Sequence, residues 1–88
     1  MSRIRSYLLS YVDWYLEHRC SDEEQDEFHR IRRCLQQNEV VLIEESDAYY
    51  DPAIRPYMLR AFRFGRHRAV FAYYPHRDLI RFVDCHCL

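Results

Sequence analysis

The stretch Met58-Leu59-Arg60-Ala61-Phe62-Arg63-Phe64-Gly65-Arg66-His67-Arg68-Ala69-Val70-Phe71-Ala72-Tyr73-Tyr74 decides the fold. It reads as two strands, Met58 to Phe64 and His67 to Tyr74, folded about a tight turn at Gly65-Arg66. Aromatic and apolar residues recur on both sides, and the only glycine of the chain falls where a two-residue hairpin needs positive φ. A second turn at Pro75-His76-Arg77-Asp78 leads into a third strand, Leu79 to Cys87. Alternation places Arg60, Phe62 and Phe64 on one face and Leu59, Ala61 and Arg63 on the other. One face should therefore pack on helices while the other is exposed and arginine-rich.

Upstream, Ile4, Tyr7, Leu8, Tyr11, Val12, Tyr15 and Leu16 recur at helical spacing and predict a helix from Arg3 to Arg19. Ser21 with Glu24 three residues later is a capping-box signature, and Phe28, Ile31 and Leu35 form the apolar stripe of the helix it opens. Two amphipathic helices joined this tightly predict an antiparallel hairpin. Val40-Val41-Leu42-Ile43 reads as a short buried strand, and residues 44–57 as a connecting loop. The expectation is one α+β domain over residues 1–88: an N-terminal antiparallel helix hairpin (1–38) packed on a three- to four-stranded, mainly antiparallel sheet (40–88).

At 88 residues, 49% apolar and 31% charged, the chain is too short for two cores, since chains divide only at roughly 250 residues or more. Its longest apolar run, Ala69 to Tyr74, is far below the roughly 18 residues of a membrane span, and the first residues lack a signal-peptide apolar core. A cytoplasmic protein with reduced thiols at Cys20, Cys34, Cys85 and Cys87 and no membrane partner is expected. All thirteen basic residues are Arg, so chemistry needing a lysine amine is excluded, while bidentate contacts to carboxylate or phosphate are well supplied. The net charge of −1 conceals an asymmetry: residues 1–51 carry six Arg against twelve acids (−6), and residues 52–88 carry seven Arg against two (+5). Either the halves satisfy each other within the fold or they meet oppositely charged partners.

No nucleophile elbow, paired-carboxylate motif or Gly-rich phosphate cradle is present, so nothing requires an enzyme or a cofactor. Arg60, Arg63, Arg66, Arg68, Arg77 and Arg81 interleave with Phe62, Phe64, Phe71, Tyr73, Tyr74 and Phe82, a mixture suited to phosphate contact and base stacking. Glu44, Glu45 and Asp47, with Tyr49, Tyr50 and Tyr57, form a second candidate interaction surface on the loop. Two Cys/His sets carry metal-ligand residue types: Cys85, His86 and Cys87 with His67 or His76, and His18, Cys20, His29 and Cys34. Neither matches a finger spacing, and alternation separates His86 from the cysteines beside it, so no metal site is expected.

Residues 59–71 and 79–86, with the helix pair upstream, resemble the RelE/ParE toxin superfamily. In that family a helical hairpin precedes strands of the pattern arginine, hydrophobic, glycine, basic, arginine, hydrophobic, and a last strand ends near a histidine. The family begins with a strand that pairs into the sheet, whereas this chain reads as beginning with a helix. The resemblance implies a toxin-antitoxin component that binds an antitoxin and a host protein or ribonucleoprotein target. For a catalytic member it implies ribosome-dependent endoribonuclease activity, with Arg68 stabilising phosphate charge, His86 as general acid or base, and His67 beside them. The expected function is a small macromolecule-binding effector, for which binding is favoured over catalysis and the enzyme question stays open. The alternatives are a phage-type inhibitor or adaptor acting by protein contact and, behind it, an RNA-binding module; a homodimer remains open.

Overall fold

A computed structural model describes residues 4–39, 41–45 and 57–88. The elements run β1 (Arg5–Leu8), α1 (Ser10–Arg19), α2 (Asp22–Gln36), β2 (Glu44–Glu45), β3 (Met58–Phe64), β4 (His67–Tyr74) and β5 (Leu79–Cys87). The strands form one sheet in the order β1-β5-β4-β3-β2, and both helices pack on one of its faces. The α+β class and the helix pair on a mainly antiparallel sheet are as the sequence predicts, with five strands in place of three or four.

The extra strand lies at the N-terminus. Residues 5–8 are not the first turn of a helix; they pair in parallel with β5, Arg5 opposite Leu79 and Leu8 opposite Phe82. The apolar spacing of Ile4, Tyr7 and Leu8 fits a helix, but the outer edge of β5 offers a row of backbone donors and acceptors that a strand satisfies better. The pairing is fastened at both ends, by the Arg5 N–H to the Asp78 carbonyl (2.9 Å) and the Leu9 N–H to the Phe82 carbonyl (3.1 Å). The end of α2 clamps it from above: Arg32 donates to the Ser6 hydroxyl (2.7 Å) and carbonyl (3.0 Å), and Gln36 to the Ile4 carbonyl (3.0 Å).

Helix α1 therefore begins at Ser10, and it buries Val12, Tyr15 and Leu16. Helix α2 has the predicted start, with Ser21 and Glu24 forming a reciprocal capping box, and buries Phe28, Ile31 and Leu35. It ends in a Schellman motif. Asn38 takes φ +57, the Glu39 N–H reaches the Cys34 carbonyl (2.9 Å) and the Asn38 N–H the Leu35 carbonyl (3.2 Å). The helices run antiparallel: Gln25 donates to the Cys20 carbonyl beside the link, while Asp13 lies near His29 and Arg32 further along.

The buried strand expected at residues 40–43 is absent from 41–43, where Leu42 is 87% exposed. Val40 lies outside the described residues, as do positions 46–56 of the expected loop. That loop instead opens with β2, Glu44 opposite Ala61 and Glu45 opposite Arg60. An apolar run is no guarantee of burial at a sheet edge, where pairing is decided by backbone partners. The hairpins fall as predicted. Gly65 takes φ +58 at the first loop position, the type II′ pattern, and Asp78 closes the second turn at φ +47.

The core is aromatic. Phe28 projects from α2 onto the sheet and meets Phe62, Phe64 and Phe82 at ring-centroid distances of 5.8, 5.3 and 4.9 Å. All four are fully buried. On β5, Val83 is an extra residue between pairs Val70–Asp84 and Phe71–Phe82, and this bulge keeps both Phe82 and Cys85 on the helix side. Because Phe28 packs on side chains of both β3 and β5, Phe28→Ala should destabilise the fold by about 3–5 kcal/mol, read as a lowered urea midpoint at unchanged m-value.

Candidate functional site

Strand register sorts the basic residues by face. Arg63 lies opposite Arg68, and Arg68 lies opposite His86, so these three side chains stand in a row across β3, β4 and β5 on the face turned away from the helices. Arg81 and Tyr7, paired across β5 and β1, continue that face, and Tyr74 lies on it at the far end. A shallow crevice of about 430 Å³ lined by Tyr7, Tyr74, Arg77, Leu79 and Arg81 opens there. Tyr7 is exposed and Tyr74 half-buried; guanidinium groups beside aromatic rings are the components of a surface that tracks a phosphate backbone and stacks bases.

The row is held by carboxylates. Glu44, delivered by β2, bridges Arg63 (Nε to Oε1, 3.1 Å) and Arg68 (Nη2 to Oε2, 3.0 Å). The Arg68 Nε is buried and has no hydrogen-bond partner among the described residues, so this guanidinium is not fully satisfied by the fold. Asp84 sits 3.1 Å from Nδ1 of His86. In the neutral ring that contact places the proton on Nδ1 and leaves Nε2 as the basic nitrogen.

His67 lies on the other side of the sheet, 6% exposed beneath the helices, and does not join Arg68 and His86. It sits in a hydrogen-bonded chain: the Tyr15 hydroxyl is 2.8 Å from Nδ1, and Nε2 is 2.9 Å from Oε2 of Glu24. One polarity satisfies every member, with Tyr15 donating to Nδ1 and Nε2–H donating to Glu24. Burial raises the Tyr15 hydroxyl to about 12, which keeps its proton in place. Glu24 also accepts the Ser21 N–H on Oε1 (2.8 Å) and the Arg66 N–H on Oε2 (3.5 Å). A Cβ on Gly65 would lie 2.5 Å from that same Oε2, so only glycine lets the turn approach the carboxylate this closely.

Among the described residues, Cys20, Glu24 and His67 bring three ligand-type atoms within 4.8 Å of one another. Among the described residues neither Cys/His set assembles: Cys85 and Cys87 take the helix side and His86 the opposite face, and of the second set only Cys20 joins a ligand cluster. Cys20 is no nucleophile here. Burial, then the Glu24 charge, raises its thiol to about 11, and both nitrogens of His67 are already engaged.

The remaining expected residues scatter. Arg60 is on the helix side, donating to the Leu59 carbonyl and the Met58 sulfur. Arg66 and Arg77 occupy the two turns, and the Arg77 carbonyl accepts from Arg5 (3.3 Å). Tyr57 contacts Tyr74 at 5.3 Å between ring centroids. Asp47, Tyr49 and Tyr50 lie outside the described residues, and of Glu45 only the backbone pairing is described. Asp84, Tyr15 and Tyr7 were missed; the i, i+2 spacing of Asp84 and His86 was the available signal for the first. No protein-family model, curated protein or solved structure matches the chain.

The Ser21 N–H, assisted by His67 and the Arg66 N–H against partial desolvation, holds Glu24 down to about 2. A carboxylate depressed in the folded state contributes stability above its unfolded pKa, about 4.3, and that contribution is lost as pH falls. It is gone once the pH passes the folded value of about 2. Glu24→Gln should lower the melting temperature near neutral pH and flatten its decline between about pH 4.3 and the folded value. A variant whose melting temperature falls as steeply as the parent's over that interval would remove Glu24 as the source.

Proposed function

We propose that the protein is a small cytoplasmic effector of the RelE/ParE toxin type that acts by binding a ribonucleoprotein target through the sheet face turned away from its helices. The observation that carries this reading is the register that aligns Arg63, Arg68 and His86 across three neighbouring strands. Strand β1 adds support, since it supplies the initial paired strand with which that family begins. The side chain of Arg63 is 62% exposed and that of His86 41%, so the row is open to a ligand.

Recognition by this surface is electrostatic first. Phosphates replace the Glu44 carboxylate on Arg63 and Arg68, while Tyr7 and Tyr74 offer stacking faces at the other end. The Asp84–His86 pair beside Arg68 has the components of acid-base phosphodiester chemistry, but binding alone suffices for an effector that blocks its target. The rival inhibitor reading, in which Glu44, Glu45 and Asp47 dock on a basic partner, has less support because the Glu44 carboxylate is already engaged by two arginines.

Binding to ribosomal particles or single-stranded RNA should weaken with salt, each phosphate contact contributing about −0.7 to the slope of log K against log salt. Joint Arg63→Ala and Arg68→Ala substitution is expected to reduce that slope by about 1.4 and to abolish any growth arrest caused by expression. Unchanged affinity and slope in the double variant would sink the assignment of this face. Loss of binding on charge reversal at Glu44, with the arginine variant unaffected, would transfer the function to the acidic loop.

A further inference from the structure

Where the link between the helices meets the β3–β4 turn, Cys20, Glu24 and His67 converge on the side of the sheet opposite the arginine row. We propose that Cys20, Glu24 and His67 form a zinc site that ties the helix link, the start of α2 and the end of the sheet together.

The donor set is the first ground. A thiol, an imidazole and a carboxylate are a borderline-soft combination suited to Zn²⁺ and its substitute Co²⁺, and poorly suited to Mg²⁺ or Ca²⁺. Their ligand atoms already lie within 4.8 Å of one another. Donors of a tetrahedral zinc stand about 3.3–3.6 Å apart, given Zn–S near 2.3 Å and Zn–N or Zn–O near 2.0–2.1 Å. The Nε2–Oε2 pair, now 2.9 Å apart, has only to widen slightly to admit the ion.

The second shell is the other ground. A metal-bound histidine donates its remaining N–H to an oxygen that fixes the ring. The Tyr15 hydroxyl stands 2.8 Å from Nδ1 and changes from donor to acceptor by rotation of its own O–H. Glu24 keeps Oε1 on the Ser21 N–H, which orients the carboxylate while Oε2 turns to the metal. Gly65 keeps the space over Oε2 clear. Cys87 lies directly across from His67 on the same face, so a second thiol stands beside the ligand set. Binding releases the Cys20 thiol proton and moves the His67 proton from Nε2 to Nδ1, so one proton leaves per ion bound.

The test titrates the full chain, freed of metal by a chelator, with Co²⁺ and then Zn²⁺. The expected result is a thiolate-to-cobalt charge-transfer band that saturates at about one ion per chain, is displaced by Zn²⁺, and accompanies a rise in melting temperature. Cys20→Ser should abolish the band and the thermal shift; Cys34→Ser, near the opposite end of α2, should keep both. In the unsubstituted chain, Zn²⁺ should slow alkylation of Cys20 more than that of Cys34, a readout that needs no variant to fold. Absence of the band, its persistence in a folded Cys20→Ser chain, or equal protection of the two thiols would overturn the site.

Discussion

One carboxylate, Glu24, joins the parts of this molecule that local sequence preferences would leave independent. Through Oε1 it closes the capping box that starts α2, and through Oε2 it receives His67 and the backbone of the β3–β4 turn. The helix pair is thereby registered against one end of the sheet by directional bonds, while the Phe28 cluster supplies the larger but non-directional attraction further in. Gly65 is the condition for this arrangement, because any larger residue both strains the turn and collides with the carboxylate. A substitution at residue 65 is therefore felt in α2 as well as in the hairpin.

The opposite edge of the sheet is closed in a different way. β1 covers the outer side of β5, and the chain then crosses the sheet through both helices before β2 to β5 are laid down. Burying one face under that crossover commits the other face to a different use. Every residue that alternates away from Phe62, Phe64, Ala69, Phe71, Phe82 and Cys85 is turned from the helices, and among these are Arg63, Arg68, Arg81 and His86. The basic face is thus the complement of the core pattern, fixed by the pleat and by the bulge at Val83.

Much of this was legible in the sequence, and the parts that were not share a cause. The capping box, the Phe28–Ile31–Leu35 stripe and the two hairpins are local signals, carried by residues within a few positions of one another, and each is where its signal puts it. β1 depends on a partner more than seventy positions away, as the 72-residue separation of the Arg5–Arg77 contact illustrates, and no periodicity in residues 4–8 announces that partner. Val41 to Ile43 show the converse: strong strand propensity alone gives no strand, and pairing with β3 starts only at Glu44. The Tyr15–His67–Glu24 chain draws on three elements and is assembled by the same tertiary contacts, so its members carry no motif. Asp84 and His86 differ, since their spacing already places them on one face.

The opposed charges of the two halves are partly resolved inside the fold. Glu24 meets His67, and Glu44 meets Arg63 and Arg68; both acids come from the acidic half and both sets of partners from the basic one. At Glu44 the cancellation is incomplete, because one carboxylate faces two guanidiniums. A phosphodiester carries the same single charge as that carboxylate, so exchanging one for the other gains little by itself, and the partly exposed ion pairs it replaces are worth only about 0–1 kcal/mol each. If the face binds RNA as proposed, useful affinity must come from further phosphates reaching Arg81 and the His86 side of the row while the first occupies the Glu44 position. On the proposed reading the ligand is therefore an extended polyanion, since a small anion such as inorganic phosphate would displace Glu44 to little effect.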